Sequence, residues 1–540
     1  MIKLEDITSK SGLSGLLNYR IAIDDLNNDD MPDLLSVYAT ETSTKLRVFY
    51  NTTNQTGKNL FTENAEIGEL TEFLSTDIVS VFDINQDGQE DIITIGHYLE
   101  KSISGDSCLE NTGRNESYLP NIFLGNGGEK FIDMPFQDVL LQPINSTSAT
   151  CVNVADFNKD GKPDIYVGSW YDSRCMNKPM HKFLFVSFSD ALYIERKETA
   201  EKSGLMKNNK GLFGSTTTDW NNDGWMDIIT CPYDTTGFGN LFKNNGDGTF
   251  TDVAEDMNYS PCTMKGDNKQ PMVPWEAMPC DFDNDGDMDF ALALVHGGSD
   301  IGEGRTCILE NLGIKQKYKL KVRNDIIVRV NPQDSHHGDH KVVWCDLNND
   351  GWQDLIISDA GYEKGPGKGR VHFCLQNPTT HKLIDVTVKT GLVDTITGLP
   401  AACINQPHAV EPIDFDMDGD EDVVIGKMGL SDFGVLENKD GNNNNWIKIK
   451  LIAPEGVNAD CIGARVKITA GGITQTKEVS GPQGHYGGQQ WYVLHVGVGK
   501  SKKIDKIEIT WPDKKGSKTM LKKVKVNQFI KVSNSGIIKP

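Results

Sequence analysis

The chain has 540 residues, 54 Lys+Arg against 76 Asp+Glu, and a formal net charge of −22. That length exceeds one ordinary core of ~100–200 residues, so several domains or one large repeat architecture are expected. The acidity excludes phosphate-backbone binding, which needs clustered Lys and Arg, and no apolar run approaches the ~18 residues of a membrane-spanning helix.

The opening residues, MIKLEDITSKSGL, lack the basic stretch and apolar run of a secretory signal. From there one pattern dominates. D-x-[DN]-x-D-[GD]-x-x-D occurs seven times, at 25–33, 83–91, 156–164, 219–227, 281–289, 346–354 and 414–422. The starts lie 58 to 73 residues apart, a repeat too regular for accident.

The spacing carries chemistry. Oxygen ligands at positions 1, 3, 5 and 9 of a tight loop can converge on one hard cation, and flexible oxygen geometry favours calcium over magnesium. The side-chain ligands expected are Asp25, Asn27, Asp29 and Asp33 in the first loop, and Asp83, Asn85, Asp87 and Asp91 in the second. The third offers Asp156, Asn158, Asp160 and Asp164, and the fourth Asp219, Asn221, Asp223 and Asp227. Then come Asp281, Asp283, Asp285 and Asp289, followed by Asp346, Asn348, Asp350 and Asp354, and finally Asp414, Asp416, Asp418 and Asp422. Up to seven Ca2+ ions are therefore expected. Position 6 is Gly in six copies and Asp30 in the first, where the turn needs positive φ. These are not EF-hands. The twelfth positions hold Ser36, Thr94, Val167, Thr230, Leu292, Ile357 and Ile425 rather than a bidentate Glu.

Each loop runs into an apolar, β-prone stretch such as IITIG or LIIS, and another often precedes it, as in CVNVA and KVVWC. Each loop therefore joins two strands of a hairpin. A third strand follows, ending in Asn or a turn (LRVFYN, NLFKNN, CILEN), and often a fourth, as in GTFTDV and KLIDVT. Four strands per repeat, seven times, predict an all-β, seven-bladed β-propeller over residues 1–441. The seventh blade lacks a fourth strand, but KLEDITSKSGL at 3–13 matches KLIDVTVKTGL at 382–392. The N-terminal strand is thus expected to close the ring and remove an open sheet edge.

From 445 to 533 the loops stop and Lys becomes frequent. WIKIKLIA, ARVKITAG, TKEVSG, WYVLHVGVG, KIDKIEITWP and QFIKVSN read as six strands of a small antiparallel β-sandwich domain.

The seven loops with their flanking strands resemble FG-GAP/VCBS repeats, as in integrin α propellers. NADCIGARVKITAGG, GHYGGQQWYVLHVGVG and KIEITWP are similar to the ASPIC/UnbV domain. The pairing resembles the cartilage acidic protein family. That resemblance implies extracellular calcium-binding proteins with adhesion or carbohydrate-contact roles, and it supplies no catalytic residue.

In such a propeller the partner-binding loops lie on the face opposite the calcium loops. Here those segments carry Trp170, Tyr171, Arg174, Trp275, His296, Arg305, His336, His337, His340, Tyr362 and His408. Trp275, His340 and His408 each lie six residues before the first Asp of successive loops. They should meet near the mouth of the central channel, beside Glu276 and Glu411, as polar lining or as a metal or sugar site. No GxSxG, HExxH or P-loop is present to support nucleophilic, zinc or nucleotide chemistry.

The reading is a secreted or cell-surface calcium-binding module for an extracellular protein or glycan. The alternatives are a structural subunit that self-assembles through propeller and C-terminal contacts, and a carbohydrate-active enzyme. The seven loops hold 23 aspartates at side-chain ligand positions, so the remaining 53 acidic residues nearly balance the 54 basic ones. The acidity belongs to the loops.

Overall fold

The structure is a computed structural model. It describes residues 2–39 (less 17 and 19), 44–64 (less 56 and 58), 76–96, 121–126, 130–135, 149–186 (less 173, 174, 180 and 181), 194–195, 202–233 (less 207 and 208), 239–259, 273–295, 306–329, 338–359, 370–393, 401, 404, 407–427 and 433–538 (less 486 and 487).

The alternating, β-branched stretches form strands throughout, and the one α-helix among the described residues is the single turn Thr8–Ser11. Seven sheets each contain one acidic loop, always between the first two strands. In blade one, for example, Arg20–Asp24, Asp33–Ala39, Thr44–Asn51 and Phe61–Glu63 pair in order. The innermost strands are Arg20–Asp24, Thr76–Phe82, Ala149–Ala155, Leu212–Thr218, Val273–Cys280, Asp339–Cys345 and Pro407–Ile413. Each packs against the next, and Pro407–Ile413 packs back on Arg20–Asp24, which makes a ring. The sixth sheet has a fifth strand, Ile327–Val328, parallel to Leu383–Asp385.

Leu4–Asp6 pairs antiparallel with Gly434–Asn438 and completes the seventh sheet. The sequence match with 382–392 is a structural match as well. Asp6 accepts from the Thr8 amide at 3.0 Å, and Asp385 accepts from the Thr387 amide at 2.9 Å. Gly12 and Gly391 then end the two turns at φ 88° and 91°, a conformation open to Gly without strain.

An asparagine at the end of the third strand stitches neighbouring blades. Asn51 Nδ2 donates to the Pro32 carbonyl of its own loop and to the Phe415 carbonyl of the seventh. Asn244, Asn311 and Asn438 repeat this with Phe157, Trp220 and Leu347, and Gln376 reaches Phe282. Each bond satisfies a buried carbonyl that would otherwise cost about 1–3 kcal/mol.

Residues 445–538 form two four-stranded sheets. One orders Leu494–Gly499, Asn445–Leu451, Phe529–Ser533 and Gly536–Ile538; the other Ile473–Glu478, Arg465–Ala470, Lys503–Thr510 and Lys518–Lys525. Two strands, Lys518–Lys525 and Gly536–Ile538, go beyond the six read from the sequence. Asn445–Leu451 and Phe529–Ser533 run parallel, which the long connection between them permits. The core of this module, including Ile449, Val466, Ile507 and Trp511, is continuous with Ile93, Val154 and Ile228 of the propeller.

Candidate functional site: the acidic loops and the plugged channel

The seven loops share one internal wiring. In the first, Asp25 accepts the amides of Asp29 and Asp30 at 2.9 and 3.0 Å, and Asn27 accepts that of Asp29 at 3.0 Å. Asp29 in turn accepts the Met31 amide at 3.0 Å. Asp33 accepts from Leu26 at 3.0 Å and from Asn51, at the end of the third strand, at 2.7 Å. The same bonds recur in the sixth loop from Asp346, Asn348, Asp350 and Asp354, with Gln376 in the place of Asn51. Position 6 has φ between 64° (Asp30) and 98° (Gly419), as the turn requires. Position 4 is left-handed too, at Asn28, Gln86, Lys159, Asn222, Asn284, Asn349 and Met417. Four of the seven are Asn, the residue besides Gly that tolerates this region best, and that signal stood in the sequence.

The donor set fits a hard cation. One oxygen from each of Asp281, Asp283 and Asp285 lies within 4.8 Å of the others, and so do those of Asp414, Asp416 and Asp422. Cation–oxygen bonds of about 2.4 Å span such a group. Without positive charge the carboxylates are poorly accommodated. Burial, aided by neighbouring carboxylates, raises Asp156 and Asp281 to about 7 and Asp91 to about 8. A divalent ion reverses that cost and holds them ionised.

The C-terminal module covers this face and brings its own cations. Lys448 Nζ lies 2.5 Å from Asp414, and Lys450 Nζ lies 3.3 Å from Asp25. Arg465 reaches Asp219 at 3.8 Å and Glu478 at 3.2 Å, and Lys531 reaches Asp30 at 2.6 Å. The pattern WIKIKL places Lys448 and Lys450 on one side of a strand, but nothing local says that this side meets Asp414 of the seventh loop and Asp25 of the first.

Residues 481–485 and 488–492 leave the module and reach the innermost strands of the ring. Gln489 bridges two blades. Its carbonyl accepts the Ile23 amide at 3.2 Å, its Oε1 accepts the Val81 amide at 2.8 Å, and its Nε2 donates to the Val81 carbonyl at 2.7 Å and to Asp24 at 3.2 Å. Asn153 donates to the Pro482 carbonyl, and the Gly484 amide donates to that of Ser215. Gly488 packs against Lys341, where a Cβ would lie 2.0 Å from Nζ, so a larger residue would displace the lysine head from its place.

At the tip of this plug, the His485 ring bonds the Phe213 carbonyl at 2.5 Å through Nδ1, and its amide donates to Glu276 at 3.3 Å. The structure brings Trp275, His340 and His408 together around it. Ring centroids are 6.2 Å apart for Trp275–His340, 5.2 Å for His340–His408 and 4.6 Å for Trp275–His485. Phe213 stacks on Trp275 at 4.1 Å, and Trp170 and Tyr233 extend the aromatic wall. Arg20 bonds His408. Burial and Arg20 keep both imidazoles neutral, with His340 lowered to about 3. His340 Nδ1 and Trp275 Nε1 have no hydrogen-bond partner. Lys341 lies between Glu276 at 3.8 Å and Glu411 at 3.4 Å. Among the described residues three donor atoms come within 4.8 Å of one another only in the two aspartate groups above, and the histidines are not among them. Arg174, His296, Arg305, His336, His337 and Tyr362 lie outside the described residues.

Comparison with known proteins agrees with the repeat and with the module. Residues 25–94 and 219–292 match the family model described as the FG-GAP-like repeat, and residues 454–538 match that of ASPIC and UnbV. The chain is 24% identical over 287 residues to cartilage acidic protein 1 of Xenopus tropicalis, a match covering 51% of this chain and 38% of that protein. Among solved structures it is similar to the exotype rhamnogalacturonan lyase YesX, at 12% identity and a TM-score of 0.40, covering 78% of this chain and 72% of that one. Rhamnogalacturonan lyase YesW gives 12% identity and a TM-score of 0.35, with 78% and 71% covered.

Proposed function

We propose that this chain, with FG-GAP-like repeats ahead of an ASPIC/UnbV domain, is an extracellular calcium-binding recognition module for a protein or glycan partner. The observation that carries the calcium reading is the repeated loop wiring, which buries crowded carboxylates that only a cation can keep charged. Calcium at extracellular levels suits loops of this kind, so the location follows from the metal. The ligand face is the opposite channel mouth. There the aromatic wall of Trp170, Phe213, Tyr233 and Trp275 stands beside the unpartnered polar atoms of His340 and Trp275. Aromatic faces with a few placed polar groups suit the apolar face and hydroxyls of a sugar, or an aromatic side chain of a protein.

A fibre or surface layer built by docking the C-terminal module on a neighbour is less favoured, because that module already rests on its own propeller. A glycan array probed with the parent, His340→Ala and His408→Ala in calcium tests the recognition reading. Binding of at least one glycan class, weakened tenfold or more in the variants, is expected. Equal binding by all three would remove the mouth as the site.

A further inference from the structure

We infer that the outer face of the two-stranded ribbon Lys503–Thr510 and Lys518–Lys525 binds a linear, sulfated or carboxylated glycan. This surface is separate from the channel mouth and from the loops. Residues 445–540 hold 17 Lys+Arg against six Asp+Glu, in a chain that is acidic everywhere else. The lysines that face the propeller are engaged with its aspartates. Of the others, six lie on the ribbon: Lys503, Lys506, Lys518, Lys522, Lys523 and Lys525.

The register makes the point. Lys503 lies directly opposite Lys525, and Lys506 directly opposite Lys522. Opposed side chains on paired strands are about 5 Å apart, and like charges there destabilise the sheet. Stability alone would place a carboxylate in one member of each pair. Asp505 and Glu508 offset part of the charge, with ion pairs to Lys503 at 2.8 Å, Lys506 at 3.0 Å and Lys518 at 3.5 Å. Lys522, Lys523 and Lys525 are exposed and have no carboxylate within ion-pair distance among the described residues. Lys523, exposed between them, has φ 55°, a local break in the strand's extended conformation. Lys514 and Lys515 extend the charge into the turn at the ribbon's end.

The chemistry of the row selects among polyanions. Its one aromatic residue, Trp511, is buried at 1% exposure, so there is no platform for stacking bases. Met520, at 52% exposure, is the one apolar side chain among these outward lysines, which is little for insertion into a bilayer. The two opposed pairs are about 10 Å apart along the ribbon. That is comparable to one disaccharide of an extended glycan, so successive anionic groups can meet successive pairs.

The test uses the full chain in calcium, with a heparin dodecasaccharide as probe and dextran of similar length as control. Tight, salt-dependent binding of heparin but not dextran is expected. Lys522→Gln/Lys525→Gln should weaken it at least tenfold and reduce the slope of log Kd against log salt by about 1.4. Lys522→Arg/Lys525→Arg keeps the charge and should retain binding. It also guards against a folding artefact, as does the melting temperature of the Gln pair, which should equal or exceed the parent's. Undiminished binding by the Gln pair, or equal loss in the Arg pair, would overturn the assignment. So would tighter binding of phosphatidylserine vesicles or of a single-stranded DNA 20-mer than of the oligosaccharide.

Discussion

The propeller and the C-terminal module solve the same problem, closing a β-sheet structure, by different physics. The module packs two sheets over apolar residues such as Ile447, Val466, Ile507 and Val532, each fully buried. The propeller also packs apolar cores, with Leu34, Val48 and Leu292 fully buried, and adds buried carboxylates at its acidic loops. Asp33, Asp164 and Asp354 are 0% exposed. The module's core is apolar, whereas the propeller adds loops whose buried carboxylates call for positive charge. The boundary shows the difference most plainly, because the basic module supplies lysines to the very loops that need positive charge. The contrast teaches that the module is part of the propeller's electrostatics as well as a neighbour.

The sharpest way to break this comparison is to remove the metal. Chelation with EDTA should lower the propeller's melting temperature by ten degrees or more, since each site filled at a hundredfold excess over Kd adds about 2.7 kcal/mol. The module's transition, if separate, should move less. An EDTA-insensitive melt would show that hydrogen bonds alone hold the loops. Deleting residues 1–10 comes next. It removes buried Ile2, Leu4 and Ile7 and opens an edge, a loss of about 5 kcal/mol that should appear as reduced unfolding cooperativity in urea. An unchanged curve would mean that the ring does not depend on its closing strand.

Gln489→Ala probes the link between the two regions. It strands the Val81 amide, while the Val81 carbonyl keeps the Tyr492 hydroxyl at 2.8 Å, and chemical denaturation should report a loss of about 1–3 kcal/mol. The last test concerns pH, read over the narrow window between about 6.5 and 5. His340 is neutral when folded, with its pKa lowered to about 3, and it faces Arg20, Asp339, Lys341 and His408. The unfolded chain takes up a proton near 6.5 and the folded one does not, so stability should fall as pH drops from 6.5 towards 3, by about 1.4 kcal/mol per unit. In calcium, His340→Gln should melt with a shallower dependence between pH 6.5 and 5 than the parent. Identical slopes would contradict the neutral assignment.

Much of this was legible in the sequence because it is local and repeated. The loop motif announces itself seven times, its Gly positions name a turn, and the resemblance of 3–13 to 382–392 identifies the closing strand. The convergence of Trp275, His340 and His408 was legible too, since equal offsets from equivalent loops put residues at equivalent heights. The plug was not. GPQGHYGGQQWY has no strand periodicity, and its partners Val81, Ser215 and Glu276 are hundreds of residues away. The stitching Asn51, Asn244, Asn311 and Asn438 stood in the third-strand readings, but only the fold reveals that they reach the blade before.

The closing strand also bears on how the chain is made. Leu4–Asp6 leaves the ribosome some 430 residues before its partner Gly434–Asn438. The plug at 481–492 follows later still. During synthesis at about 5–20 residues per second, the nascent chain therefore carries an unpaired strand and an open ring for tens of seconds. On the calcium reading proposed above, a compartment rich in the ion would also neutralise each acidic loop as its hairpin forms, before the ring can close.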